Sequence, residues 1–284
     1  MPTDPPAPSP PAAGGSRPDA LRPDALRPDA LGPDALAPGA HRPDALPPFD
    51  AIVLAGGRGR RLGDVVEGTV KPEVLVGGVA LVDHVLAAVA GARRVVLVAP
   101  PQVARPGVLT VLEDPPDGGP VAGVAAGLTA LRSLPDEAPP APDAGPMPPD
   151  DASPGESPGA SRAPDLVVVL ACDVPHAARA VPSLLAAANA PDVDGARLVA
   201  SDGRPQHLVA AYRHDALAAA LAALPSVRDV AVRRLVEPLR LADVPDTTDA
   251  AADADTWDDV ARLDAALTRG TIESANPPDG RSTP

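Results

Sequence analysis

The chain has 284 residues, 41 of them proline and 24 glycine, with one Phe, one Trp and one Tyr, so its core must come from many small contacts among Ala, Val and Leu. A formal charge of −14 excludes a broad basic face, and with it general binding to nucleic acid or to an anionic membrane surface. Cys172 is the only cysteine, which excludes an intramolecular disulfide; MPTDPPAPSP at the start lacks a signal-peptide pattern and no apolar run reaches membrane-spanning length, so a cytoplasmic protein is expected.

From Arg17 the sequence repeats in fives, RPDAL RPDAL RPDAL GPDAL APGAH RPDAL. Proline at this density blocks helix and sheet, and one leucine per unit cannot offset the entropy of ordering the chain. Residues 1–48 therefore read as a disordered, partly polyproline-like leader, for which docking of a protein partner is an alternative use. Order is expected to begin at Phe49. FDAIVLA is a buried parallel strand, LVDHVLAAVA from Leu81 a helix, RRVVLVA from Arg93 a strand, VLTVLED from Val108 another, and VAGVAAGLTALRSL from Val121 its helix. Residues 135–165, rich in Pro, Gly and acids, are too long for an ordinary connection and read as a disordered insertion. LVVVLA from Leu166 resumes the pattern. Further strands are expected over 196–200, 208–212 and 236–241, helices near 178–188 and 215–224, a last helix over 257–268, and a loose tail over 268–284. The alternation is that of one α/β domain, residues 49–267, with helices on the faces of its sheet.

In such a sheet, ligands bind beyond the carboxyl ends of the strands. The first strand runs into LAGGRGRRLG, where Gly56, Gly57 and Gly59 let backbone N–H groups approach an anion and Arg58, Arg60 and Arg61 add charge. Lys71, the only lysine in the chain, follows in VKP. Leu62 stands where a dinucleotide fingerprint needs its third glycine, and Lys71 lacks the Gly before it and the Ser or Thr after it that a P-loop requires. A purely structural turn is the competing reading. In LACDVPH, Asp173 ends an apolar strand and is either a Mg²⁺ ligand or a helix N-cap. DADTWDD crowds Asp253, Asp255, Asp258 and Asp259 ahead of the last helix; several must cap it or face water, and one could join Asp173 at a metal. Gly119, Pro120 and Gly123 make a tight helix entry that suits an anion or serves the fold alone.

These segments, in this order, resemble the molybdenum cofactor guanylyltransferase family of nucleotidyltransferases. LAGGRGRRLG with Lys71 is similar to its opening LAGG, arginine and lysine signature, GGPVAG to its Gly-Pro-Leu-Ala-Gly, LACDVP to its Cys-Asp-Met-Pro, GRPQHLVAAYR to its Gln-Pro-Leu and Tyr-Arg strand, and DADTWDDV to its closing Asn-x-Asn-Thr segment. Gly59 replaces a usual serine, about four extra residues precede Lys71, and Asp253 and Asp255 stand where asparagines are common. The resemblance implies a three-layer α/β/α, Rossmann-like fold with a mostly parallel sheet. It also implies that Leu54, Ala55, Gly56 and Gly57 line the nucleotide, that Lys71 and Arg61 hold its phosphates, and that Asp114 lies near the nucleoside. Asp173 would hold Mg²⁺ with Asp255 as a second ligand, and Gln206 would face the acceptor.

The expected reaction is transfer of GMP from GTP to the phosphate of molybdopterin, with pyrophosphate leaving. An ionised phosphate nucleophile needs no general base, in keeping with the want of a His or Cys nucleophile: His84 reads as a packing residue and His176 as a contact for substrate. CTP in place of GTP, a sugar phosphate as acceptor, and a non-catalytic nucleotide-binding scaffold are the alternatives. Asp-x-Asp-Thr also occurs among cytidylyltransferase relatives.

Overall fold

Residues 46–56, 70–114, 116–135 and 165–275 are described in this computed structural model. The leader, the stretch 57–69 that carries Gly57 and Arg61, most of the insertion and the end of the tail lie outside the described residues.

The first strand, β1 (Phe49–Leu54), is buried along its whole length. Apart from Asp50, which is buried in an ion pair with Arg94, its residues are apolar, and its neighbours in the sheet explain why. Ala51 and Val53 point into one core, shared with Val168 and Leu170, while Ile52 and Leu54 point into a second, shared with Val167 and Val169. A strand covered on both faces has no polar side to show. After β1 come a hairpin, β2 (Leu75–Val76) and β3 (Val79–Ala80), then α1 (Leu81–Ala88), β4 (Val95–Val98), β5 (Leu109–Val111) and α2 (Pro120–Ser133). They are followed by β6 (Leu166–Ala171), α3 (Val181–Ala188), β7 (Gly195–Val199), β8 (Pro205–Arg213), α4 (His214–Ala222), α5 (Val232–Val236), β9 (Leu241–Pro245) and α6 (Trp257–Ala275).

Seven strands form one sheet in the order β5-β4-β1-β6-β8-β7-β9. Every pairing is parallel except the two made by β8, which runs against β6 and β7. Helices α1 and α3 pack on one face and α2, α4 and α5 on the other, which makes the three-layer α/β/α arrangement. Two glycines set how closely α2 lies on β1: a Cβ on Gly127 would stand 2.6 Å from Ile52 Cγ2, and one on Gly123 would stand 3.2 Å from Leu54 Cδ2. Removing both side chains lets the helix axis approach the strand that carries the glycine loop.

Three local expectations change. Residues 236–241 are not a strand: Leu235 and Val236 close the short helix α5 with buried side chains, Pro238 follows, and the strand starts only at Leu241. A mixed apolar stretch of that length does not distinguish the end of a helix from a strand, and proline, which cannot donate to a ladder, decides where pairing begins. The β2–β3 hairpin was not expected. Gly77 and Gly78 at its turn have φ of 60° and 78°, the left-handed pair that a tight two-residue turn requires. Helix α6 runs on to Ala275, past the 268 expected from periodicity. Among the described residues, no helix is long and apolar enough to cross a membrane.

Candidate active site

β1 and β6 lie side by side and end together, with Leu54 paired to Ala171. The Cys172 N–H donates to the Leu54 carbonyl at 2.9 Å, which keeps the two chains in step one residue beyond the sheet. Gly56 and Asp173 are thereby delivered to the same edge.

Lys71 arrives from a different direction, on a single 3-10 turn, Lys71–Glu73, closed by the Val74 N–H on the Lys71 carbonyl. Val74 then enters a small apolar cluster of its own with Val76, Leu81, Ala254, Val260 and Leu263. That cluster joins the hairpin to the segment carrying Asp255 and to α6, and Gly77 in the hairpin turn donates to Asp264 of α6 at 2.6 Å. Ala254, fully buried, donates its N–H to the carbonyl of Asp173 at 2.8 Å. One backbone bond thus couples the two acid-bearing loops.

The result is a three-residue ionic centre. The Lys71 ammonium donates to Asp173 Oδ2 at 2.9 Å and to Asp255 Oδ1 at 2.7 Å. Its side chain is only 13% exposed, against 28% and 27% for the two acids, so the cation lies deeper than the carboxylates. Burial lowers the Lys71 pKa, but the Asp173 charge and the hydrogen bonds that Lys71 donates to both acids outweigh it and hold the group above its usual range. Asp253, two residues before Asp255, is pushed the other way: burial and the charges of Asp255 and Asp173 raise its carboxyl. Among the remaining acids of this segment, Asp259 accepts from the Thr256 N–H at 2.9 Å while Thr256 Oγ1 accepts from the Asp259 N–H at 3.2 Å, a reciprocal cap for α6.

This centre forms one end of a cleft of about 670 Å³, which Leu54, Gly56, Lys71, Asp173 and Asp255 all line. Its apolar side is Leu54, Val98 and Leu208. Gly119 and Pro120 at the start of α2 also line the cleft, as do Glu113, Asp117 and Arg228. Gly119 has φ of +87°, a conformation that favours glycine, and Pro120 opens the helix. The first-turn N–H groups of a fourteen-residue helix face an anion well.

Eight of the residues named from sequence, Leu54, Gly56, Lys71, Gly119, Pro120, Gly123, Asp173 and Asp255, therefore line one cleft. Gly57 and Arg61 lie outside the described residues. Ala55 is buried, with its N–H on the Val98 carbonyl at 2.9 Å, and Asp114 is exposed on the loop after β5; the residues that line the cleft there are its neighbours Glu113 and Asp117. Gln206 pairs with Leu198 in the sheet, and Leu208 of the same strand is the one that reaches the cleft. His84 donates Nε2 to the Val76 carbonyl at 2.8 Å, a packing role. His176 is buried, with Arg179 donating to its Nδ1 at 3.3 Å, and does not line the cleft. Cys172 does line it, but burial foremost, and then the Asp173 charge, push its thiol up to about 12, so it stays protonated and is no nucleophile. Glu113, Asp117 and Arg228 were missed from sequence; the only signal was their place in loops after strand or helix ends.

A family model, the MobA-like NTP transferase domain, matches residues 51–244, more than half of the chain and every strand from β2 to β8. The chain belongs to this family. It is a nucleotidyltransferase of the MobA-like type. Among solved structures, molybdopterin-guanine dinucleotide biosynthesis protein A from Archaeoglobus fulgidus is similar at 21% identity and a TM-score of 0.51, over 78% of this chain and 99% of that one. Rv0371c from Mycobacterium tuberculosis H37Rv is similar at 20% and 0.53, over 77% and 98%. Its homolog from Mycobacterium sp. strain JC1 is similar at 23% and 0.52, over 78% and 97%. These likenesses establish a common fold. None of the curated protein sequences matches this one.

Proposed function

We propose that the protein transfers GMP from GTP to the terminal phosphate of a molybdopterin-type acceptor, releasing pyrophosphate. The observation that carries the reading is the convergence of Lys71, Asp173 and Asp255 in a cleft that a helix N-terminus also lines. An acceptor phosphate oxygen attacks the α-phosphorus, the bond from that phosphorus to the bridging oxygen breaks, and the electron pair leaves with pyrophosphate. The nucleophile is already ionised, so the protein's work is to position and to neutralise charge.

Two carboxylates converging on one point suit Mg²⁺, a hard ion that commonly takes one or two protein carboxylates and fills its remaining positions with phosphate oxygens and water. Among the described residues, no group of three or more His, Cys, Asp or Glu side chains that could hold a metal ion gathers. Asp173 and Asp255 would hold it, and when bound it supplies charge neutralisation to the phosphates. Lys71 then exchanges its carboxylate partners for phosphate oxygens, aided by Arg61 and by the backbone at Gly56 and Gly57. Leu54, Val98 and Leu208 receive the apolar face of the base, and Glu113, Asp114 and Asp117 lie on the nucleoside side.

Pyrophosphate release with GTP, CTP, ATP or UTP, each with Mg²⁺ and molybdopterin, tests this directly. Release is expected with GTP above the others. Release with CTP above GTP would move the assignment to cytidylyl transfer, and binding of GTP with no release would leave a nucleotide-binding scaffold.

A further inference from the structure

Arg105 lies on the connection between β4 and β5, two residues past the buried Val103, and is not among the residues lining the cleft. Its guanidinium is nonetheless fully used as a donor. Nη1 and Nη2 each donate to one oxygen of Glu73, both at 2.9 Å. Nε and Nη2 donate to the two oxygens of Asp83, at 2.6 and 3.2 Å, and Nη1 also donates to the Val103 carbonyl at 3.1 Å. An arginine has five N–H groups in a rigid plane, and here all five have an acceptor. One side chain therefore ties three elements together: the β4 connection, the first turn of α1 through Asp83, and the 3-10 turn through Glu73.

That last tie matters because the 3-10 turn is three residues long and Lys71 is its first. On its C-terminal side the turn is anchored by Val74 in the small apolar cluster, and Pro72 within it is buried. An apolar anchor fixes depth but leaves a short turn free to pivot. A bidentate ion pair on its last residue fixes orientation. The Arg105 side chain is 20% exposed and that of Glu73 is 32%, so the pair is partly shielded from solvent and its geometry is better held than that of an exposed one.

We propose that Arg105 is a positioning residue: through its fork on Glu73 it sets where the Lys71 ammonium stands, and so how tightly the enzyme holds a triphosphate. The inference rests on the reading of Lys71 as a phosphate ligand. Arg105 also neutralises Glu73, which would otherwise leave a bare carboxylate two residues from the cation that meets the polyanion. Lysine at this position keeps the charge but loses the fork, which separates orientation from electrostatics.

The test uses the full chain and calorimetric titration of Mg·GTP into wild type, Arg105→Ala, Arg105→Lys, Lys71→Ala and the double variant Arg105→Ala/Lys71→Ala. Arg105→Ala is expected to weaken binding about tenfold, and Arg105→Lys to recover only part of that. In the Lys71→Ala background the same Arg105→Ala change is expected to have no further effect, since the residue acts through Lys71. A purely structural role would instead lower the melting temperature and the active fraction with affinity per folded molecule unchanged. Wild-type affinity in Arg105→Ala overturns the inference, as does an equal loss in both backgrounds or a full rescue by lysine. If Lys71→Ala itself binds as tightly as wild type, it is the phosphate role of Lys71 that fails first, and the two failures are told apart. Should Arg105→Ala not fold, Glu73→Gln carries the same cycle, with a several-fold loss expected in the wild-type background and none with Lys71→Ala.

Discussion

The two ends of the cleft are built in different ways. At one end, Lys71, Asp173 and Asp255 are clamped by a buried apolar cluster, by the Ala254 to Asp173 backbone bond and by two short ion pairs. At the other, Glu113, Asp117 and Arg228 stand on loops, Asp117 and Asp229 have left-handed backbone, and the Asp229 N–H on the Gly118 carbonyl at 2.8 Å links the two loops. On the proposed reading, the first end carries the chemistry common to any nucleotidyl transfer, which needs a fixed geometry. The second has the freedom to differ in what it recognises, because exchanging a loop acid leaves the core untouched.

If that division is right, variants at the clamped end must cost turnover and variants at the loop end must cost selectivity. The largest effect is expected from Asp173→Ala and Lys71→Ala, each lowering kcat by about 10²–10³-fold with the fold intact by circular dichroism. Wild-type turnover in either would break the comparison outright. Next comes Gly127→Val, which places side-chain atoms where even a Cβ would be 2.6 Å from Ile52 Cγ2. A loss of about 1–3 kcal/mol in urea unfolding is expected, from forcing α2 off β1. Glu113→Gln and Asp117→Asn should then shift KM among nucleoside triphosphates by less than about tenfold, with kcat held, since each removes one partly exposed charge. A large loss of kcat instead would place chemistry at the loop end.

The smallest change is spectroscopic and sharpens the clamped end alone. Lys71 is the only lysine, so ¹³C-lysine labelling gives one side-chain signal. Its titration in the ligand-free protein is expected above the ordinary 10.5, because the two acids outweigh burial. In Asp173→Asn/Asp255→Asn the attraction is gone while burial stays, and the midpoint is expected to fall below that value. The sign for stability follows: a lysine raised in the folded state stabilises fully below its ordinary pKa, and that contribution is lost as pH rises through the folded value.

Much of the clamped end was legible because each piece has a strong local cause. Apolar runs with no polar face give β1 and β6, and the rule that ligands sit past strand ends points to Gly56 and Asp173. Which acid of DADTWDD joins them was legible only through the family resemblance, which named Asp255, and not from the residues themselves. Asp255 and Asp259 are alike as residues, and only the tertiary placement of α6 and its Thr256 cap sorts one to the site and one to the helix. The loop end was less legible still, since Glu113 and Asp117 carry no periodicity and Arg228 comes from more than a hundred residues away. Residues 236–241 failed as a strand because Leu and Val serve a buried helix end as well as a ladder.

The bonds that complete the ionic centre span 102 residues from Lys71 to Asp173 and 184 from Lys71 to Asp255. A chain made from its N-terminus displays its lysine long before either acid exists, and the second acid follows the first by more than eighty residues. All nine strands among the described residues precede Ala254 in the chain, so the carboxylate that finishes the centre comes after the whole sheet in sequence. The centre is therefore a long-range contact that no local stretch of the chain can form alone.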